Sequence, residues 1–195
     1  MRAKARGGAA GRGRRGVGDP QESSLRYWLG LGANLGDAVA TLRAALHELA
    51  AREIAIERVS SPYRTAPRDD PDQPDFLNAA AQVRSDLTPP QLLAEVKAIE
   101  VDLGRTKTRR FGPRTIDVDL LLWSGGEWQD PHLRVPHPRL HERRFALVPL
   151  LEIAPDLAMP DGTRLGDLLA RLDGDPDQSV EPVGELVLWT VPPAS

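Results

Sequence analysis

The chain has 195 residues, 41% of them hydrophobic and 27% charged, enough for one domain with a buried core. It contains no cysteine, which excludes disulfides, thiolate metal sites and cysteine nucleophiles, and no apolar run nears the ~18 residues of a membrane helix. The net charge of −3 conceals a division: residues 1–24 hold six Arg/Lys against two acids, and the remainder holds 19 against 26, too acidic for a general nucleic-acid surface.

Residues 1–24 are rich in Gly, Arg and Ala, lack apolar periodicity and read as a disordered basic tail. Two readings of it stand: a nucleic-acid contact, or upstream sequence from a mis-set start. No secretory apolar region is present, and a cytoplasmic protein is expected. The folded body is expected over residues 25–195, beginning with a strand in LRYWLGLG. A helix from Asp37 to Ala51 follows, with Val39, Leu42, Leu46 and Leu49 at helical spacing, then a strand from Ile54 to Ser60. The loop TAPRDDPDQPD leads to a strand from Phe76 to Ser85. Thr88 is the expected cap of the next helix, with prolines in its first turn and Gln91 closing a capping box. Its core stripe is Leu92, Leu93, Val96, Ile99 and Leu103, with Glu100 on the opposite face and Gly104 as the stop.

A strand from Thr115 to Trp123 completes a β-α-β-β-α-β order, the α+β, ferredoxin-like pattern. Additional C-terminal elements are expected: a hairpin near Gly125–Gly126, helices at Arg143–Ile153 and Leu165–Leu172, and a strand at Val183–Val191. The glycines of GLGANLGD are read as a tight turn into the first helix, with Asn34 as a turn residue. Loops 66–75 and 105–113 have the Pro, Asp and Arg content of active-site lids.

The densest chemistry lies in GRTKTRRFGPRTIDVDLLLW. Alternation along a strand sends Asp117 and Asp119 to one face and Ile116, Val118 and Leu120 to the other. Two such carboxylates repel by roughly 4 kcal/mol at an effective dielectric near 20. A hard divalent cation would relieve that, and the adjacent cations suit a polyphosphate. The same residues would also serve as the solvated face of an edge strand beside a basic loop. From the residues alone both readings stay open.

Four segments in order, GLGANLGD, SSPYRTAP with QPDFLNAA, GPRTIDVDLLLW, and VPHPRLHERRFALVPLLEIAP, together resemble the 6-hydroxymethyl-7,8-dihydropterin pyrophosphokinase family over residues 26–160. The resemblance implies transfer of pyrophosphate from ATP to a pterin hydroxymethyl group in folate biosynthesis, with release of AMP. It implies that Asp117 and Asp119 hold two Mg²⁺ ions and that Arg105 and Arg114 act on the phosphates, making these four the catalytic set. Glu100, Lys107, Arg110, the Leu120 backbone, Arg134, His137 (protonated or as a hydrogen-bond donor) and Arg143 are implied on the ATP side. Thr65, Ala66, Phe76, Asn78, Phe111 and Phe145 are implied around the pterin, where Asn78 offers a donor and an acceptor, Phe145 and Phe111 stack on the ring and Phe76 forms a wall. Phe76 and Phe111 depart from the family's usual Tyr and Trp, and Arg68 has no assignable role. A monomer without a membrane or nucleic-acid partner is expected. The rivals are another two-metal nucleotidyl-transfer enzyme, which would release pyrophosphate, and a nucleotide- or RNA-binding module of the same fold. For the RNA-binding form, the aromatic run such sheets carry is missing.

Overall fold

Tyr27, Leu29, Leu31 and Ala33 alternate along the first strand and are almost fully buried, so one face of the sheet is set by β1, Leu25–Ala33. The computed structural model describes residues 24–67, 72–105, 112–175, 178–184 and 187–190. Most of the tail, together with Arg68, Lys107, Arg110 and Phe111, lies outside the described residues, as do the middles of both expected lids.

The helix α1 (Ala38–Ala51) begins where Asp37 accepts from the Ala40 amide, and it buries Leu42, Ala45, Leu46 and Leu49. The strand β2 (Ala55–Val59) is followed by a short strand, β3 (Tyr63–Thr65), that the pattern of the sequence does not predict. Both pair with β4 (Phe76–Ser85), so the second edge of the motif is one interrupted strand. The helix α2 (Pro89–Asp102) starts as expected, with Gln91 Oε1 accepting from the Thr88 amide at 2.9 Å and from its hydroxyl at 2.7 Å. The strand β5 (Asp117–Trp123) begins two residues later than alternation suggested.

Every neighbouring pair in the sheet is antiparallel, in the order β5-β1-β4, then β2 and β3. That is the ferredoxin-like arrangement. Helices α1 and α2 cover one face through the larger apolar cluster. On the other face a smaller cluster joins Ala80, Leu121 and Leu122 to α3 (Arg144–Ile153) and α4 (Leu165–Ala170).

Two C-terminal expectations are corrected. The hairpin joins β6 (Trp128–Gln129) to β7 (Arg134–Val135), because Asp130 Oδ1 accepts from the His132 and Leu133 amides and closes the turn there. Gly126, at φ 94°, only bends the chain out of β5. The last strand, β8, is Val180–Pro182 rather than Val183–Val191, since the partner available to it is the exposed edge of β3.

Candidate active site

One cavity opens on the face that α1 and α2 leave uncovered, floored by β1, β4 and β5 and walled by the start of α3. Val118 and Leu120 point into the core, so Asp117, Asp119 and Leu121 all face this cavity. Asn78, Thr65, Ala66 and Phe76 line its opposite side, and Arg114, His137, Arg143 and Phe145 close it.

The acidic pair is already neutralised by the protein. Asp117 Oδ1 accepts from Arg105 at 2.8 Å and Oδ2 accepts from Arg114, while Lys97 Nζ stands 3.7 Å away. Asp119 accepts from Arg143 at 3.2 Å. Burial works to raise the Asp117 pKa, but Lys97, Arg114 and Arg105 together outweigh it and hold the carboxyl below its ordinary value. The repulsion inferred from sequence is thus met here by guanidinium groups, the same groups expected to bind phosphate.

His137 follows the cis Val135–Pro136 peptide, and its amide donates to Leu121 O at 2.9 Å, which ties it to β5. Burial lowers its pKa, Arg143 and Arg139 add to that, and Asp119 opposes it without prevailing. Of the two forms expected of His137, protonated or hydrogen-bonding, this lowered value favours the neutral, hydrogen-bonding ring at neutral pH. Its Nδ1 lies 3.1 Å from the Arg139 amide and its Nε2 lies 3.4 Å from Arg143 Nη1, both donors, and a neutral ring accepts at only one of its two nitrogens.

At the other end, Asn78 is 7% exposed and its Nδ2 donates to Thr65 Oγ1 at 2.7 Å. Among the described residues its Oδ1 and second N–H have no partner, which leaves them for a ligand edge. The glycines of β1 make this possible by lacking side chains, not by turning. A Cβ on Gly32 would lie 2.9 Å from Asn78 Oδ1, and one on Gly30 would lie 3.1 Å from Leu121 Cδ1. Only Gly36, at φ 62°, serves as the turn assumed for all of them. Phe145 presents its ring to the cavity with the Arg143 guanidinium 5.5 Å from the ring centroid.

Three expected ATP-side residues do not line the cavity. Arg134 is exposed on β7, and the Leu120 side chain is in the core. Glu100, read as the polar face of its helix, is 2% exposed, because β5 packs over that face. It accepts from Lys97, from Arg105 and from the Val118 amide. Arg105 reaches Asp117 from this buried side rather than from within the cavity.

The sequence reading missed Asn34, which is a clasp rather than a turn residue. Its Oδ1 accepts from the Arg114 amide at 2.8 Å, and its Nδ2 donates to Gln73 Oε1 and Pro74 O, both at 3.1 Å. One 6%-exposed amide thereby holds the ends of both loops that flank the cavity. Nothing local signals this, since its partners lie 39 to 80 residues away. Leu121 was legible, because the alternation that pairs the aspartates reaches it.

Comparison with known proteins agrees with this geometry. A family model described as 7,8-dihydro-6-hydroxymethylpterin-pyrophosphokinase (HPPK) matches residues 28–155. Over 157 residues the chain is 46% identical to a 2-amino-4-hydroxy-6-hydroxymethyldihydropteridine pyrophosphokinase of Methylorubrum extorquens, covering 80% of this chain and 99% of that one. A protein of the same name from Bacillus subtilis is 44% identical over 129 residues, 65% of this chain and 76% of that one. Among solved structures, a Plasmodium falciparum HPPK-DHPS triple mutant superposes with a TM-score of 0.62 at 15% identity, a likeness of fold. It covers 79% of this chain, which spans 45% of that longer one.

Proposed function

Because the chain belongs to the 7,8-dihydro-6-hydroxymethylpterin-pyrophosphokinase family, we propose that its cavity holds ATP and 6-hydroxymethyl-7,8-dihydropterin together, with the residues around it assigned to the two substrates as follows. The enzyme is an ATP-dependent diphosphotransferase of folate biosynthesis. The pterin hydroxyl oxygen attacks the β-phosphorus of ATP, the bond from that phosphorus to the α-bridging oxygen breaks, and AMP leaves with that oxygen. The hydroxyl proton is lost as the new P–O bond forms.

Asn78 reads the polar edge of the pterin, Thr65 orients the Asn78 amide and Ala66 adds backbone contacts, while Phe76 and Phe145 flank the ring. Phe111 keeps its assignment on sequence grounds. Arg114, Arg143 and neutral His137 meet the phosphates from the cavity lining, the two guanidinium groups exchanging carboxylate partners for phosphate oxygens, while Arg105, which holds Asp117 from outside the lining, keeps its phosphate assignment on sequence grounds. Lys107 and Arg110 join them on sequence grounds. Leu120 offers its backbone on the outer edge of β5 to adenine, and Arg134 lies on the adjoining hairpin.

Asp117 and Asp119 fit a Mg²⁺ site of the kind that uses one or two carboxylates and leaves the remaining positions to phosphate and water. Among the described residues no cluster of three or more His, Asp or Glu offers an all-protein cage. Two ions bound there would supply charge neutralisation and Lewis-acid polarisation of phosphate oxygens. The catalytic body is residues 25–195, acting as a cytoplasmic monomer without a nucleic-acid partner. In support of the soluble reading, no described helix is long and apolar enough to cross a membrane.

The reading is carried by one observation: the acidic pair and Asn78 line a single cavity together with Arg114 and Arg143. The test is incubation with ATP, Mg²⁺ and hydroxymethyl-dihydropterin, with AMP as the expected product. Release of inorganic pyrophosphate instead would favour the nucleotidyl-transfer rival. Asp119→Asn should lower turnover by at least ~10³-fold, the upper end for losing one electrostatic stabiliser.

A further inference from the structure

Among the described residues β5 is the last strand in its sheet, so its outer edge has no described strand beside it to satisfy alternate backbone groups. Val118, which faces Leu31 across the inner edge, lies between the two aspartates. Its outward N–H donates to Glu100 Oε1 at 2.7 Å, and its carbonyl accepts from Lys97 Nζ at 3.1 Å. The two side chains are themselves joined at 2.6 Å. One helical turn of α2 therefore supplies the donor and the acceptor that a further strand would have supplied, at the residue flanked by both carboxylates.

We infer that Lys97 and Glu100 are positioning residues, a side-chain pair standing in for the missing strand and fixing the spacing and aim of Asp117 and Asp119. The inference rests on the proposed metal and nucleotide roles of those aspartates. Without the pair, Val118 would keep only its side-chain packing and its pairing with β1, and an unpaired buried carbonyl or amide pulls the backbone toward solvent. A shift of that kind moves both carboxylates together. Misplacement by about 1 Å at a reacting centre is enough to cost on the order of 10²-fold in rate. Glu100 also holds Arg105, so it acts on two elements at once, whereas replacing Lys97 leaves Arg105 both of its carboxylate partners.

Lys97→Met and Lys97→Arg, with Glu100→Gln as a second probe, decide the matter in the full-length protein. The readouts are Mn²⁺ affinity by electron paramagnetic resonance in the presence of a non-hydrolysable ATP analogue, hydrogen exchange at the Val118 amide, and steady-state kinetics. Lys97→Met should weaken Mn²⁺ about tenfold, speed Val118 exchange, and lower kcat by ~10–100-fold while the pterin KM stays within about twofold. Lys97→Arg should restore most of the loss. A lysine acting only as a charge 3.7 Å from Asp117 predicts the opposite sign, tighter Mn²⁺ on its removal. That outcome, or unchanged Mn²⁺ affinity and kcat, overturns the inference. So does a loss that arginine fails to restore. If Glu100→Gln does not fold, the half-exposed Lys97 site still gives the answer. Absence of AMP formation by the wild-type protein would instead sink the functional reading, a separate result.

Discussion

Gly32→Ala adds a single methyl group to the floor of the cavity, and the structure says what it meets. The new Cβ would lie 2.9 Å from Asn78 Oδ1, the one described atom outside its chain neighbours within 4 Å. Ordinary contact begins near 3.4 Å, so the amide must retreat by about 0.5 Å. It is not free to do so, because its Nδ2 is tied to Thr65 Oγ1 at 2.7 Å. Overpacking of this kind costs about 1–3 kcal/mol, and a strained or lost hydrogen bond about 1 kcal/mol. If that falls on the ligand contact, the pterin Kd rises by roughly 5–150-fold, at about 1.4 kcal/mol per decade. Nucleotide affinity should hold, since the methyl approaches none of the described phosphate-side groups. Calorimetric titration with each ligand separately reads the difference. In an Asn78→Ala background, where the clash has gone, Gly32→Ala should add little. An unchanged pterin Kd, an equal loss for the nucleotide, or full additivity with Asn78→Ala would refute the reasoning. Gly30→Ala is the control: its Cβ meets the flexible end of Leu121 at 3.1 Å and should be much milder.

Asn34→Ala removes the clasp between the two flanking loops and should raise KM for both substrates by ~10-fold or more, as expected when several buried hydrogen bonds go together; a change in only one KM would contradict it. His137 titrates below its ordinary value in the folded state, so the unfolded chain binds more protons. Its contribution to stability is complete above about pH 6.5 and is lost as pH falls from there toward the lower folded value. His137→Gln should flatten that part of a denaturation-versus-pH curve, and an unaltered curve would be evidence against a neutral ring. Leu46→Ala, fully buried under the sheet, should cost about 2–5 kcal/mol in urea unfolding without altering either KM by more than its effect on the folded fraction.

Much of the site was legible because it depends on local periodicity. Two-residue alternation in DVDLLLW aims the aspartates, and a capping box and proline pair fix the start of α2. The order of four motifs carries the family across more than half the chain, as its match to residues 28–155 bears out. What stayed hidden depends on which surface packs against which. Glu100 looks solvated on a helical wheel, and only the packing of β5 over α2 buries it against two cations. Asn34 looks like a turn residue until the fold brings two distant loops within hydrogen-bond reach. The strand β3 is three residues long, too short for a period to register, and exists because β4 has an edge to offer.

The sequence by itself determined the architecture and the acidic pair, which follow from spacing along the chain, and through the resemblance of four ordered motifs to a family it determined the class of chemistry. Tertiary structure alone decided the lowered pKa of His137, the use of Gly30 and Gly32 as space, and the cations that hold Asp117. The reason is physical: burial and through-space charge depend on distances that open or close only when strands and helices pack.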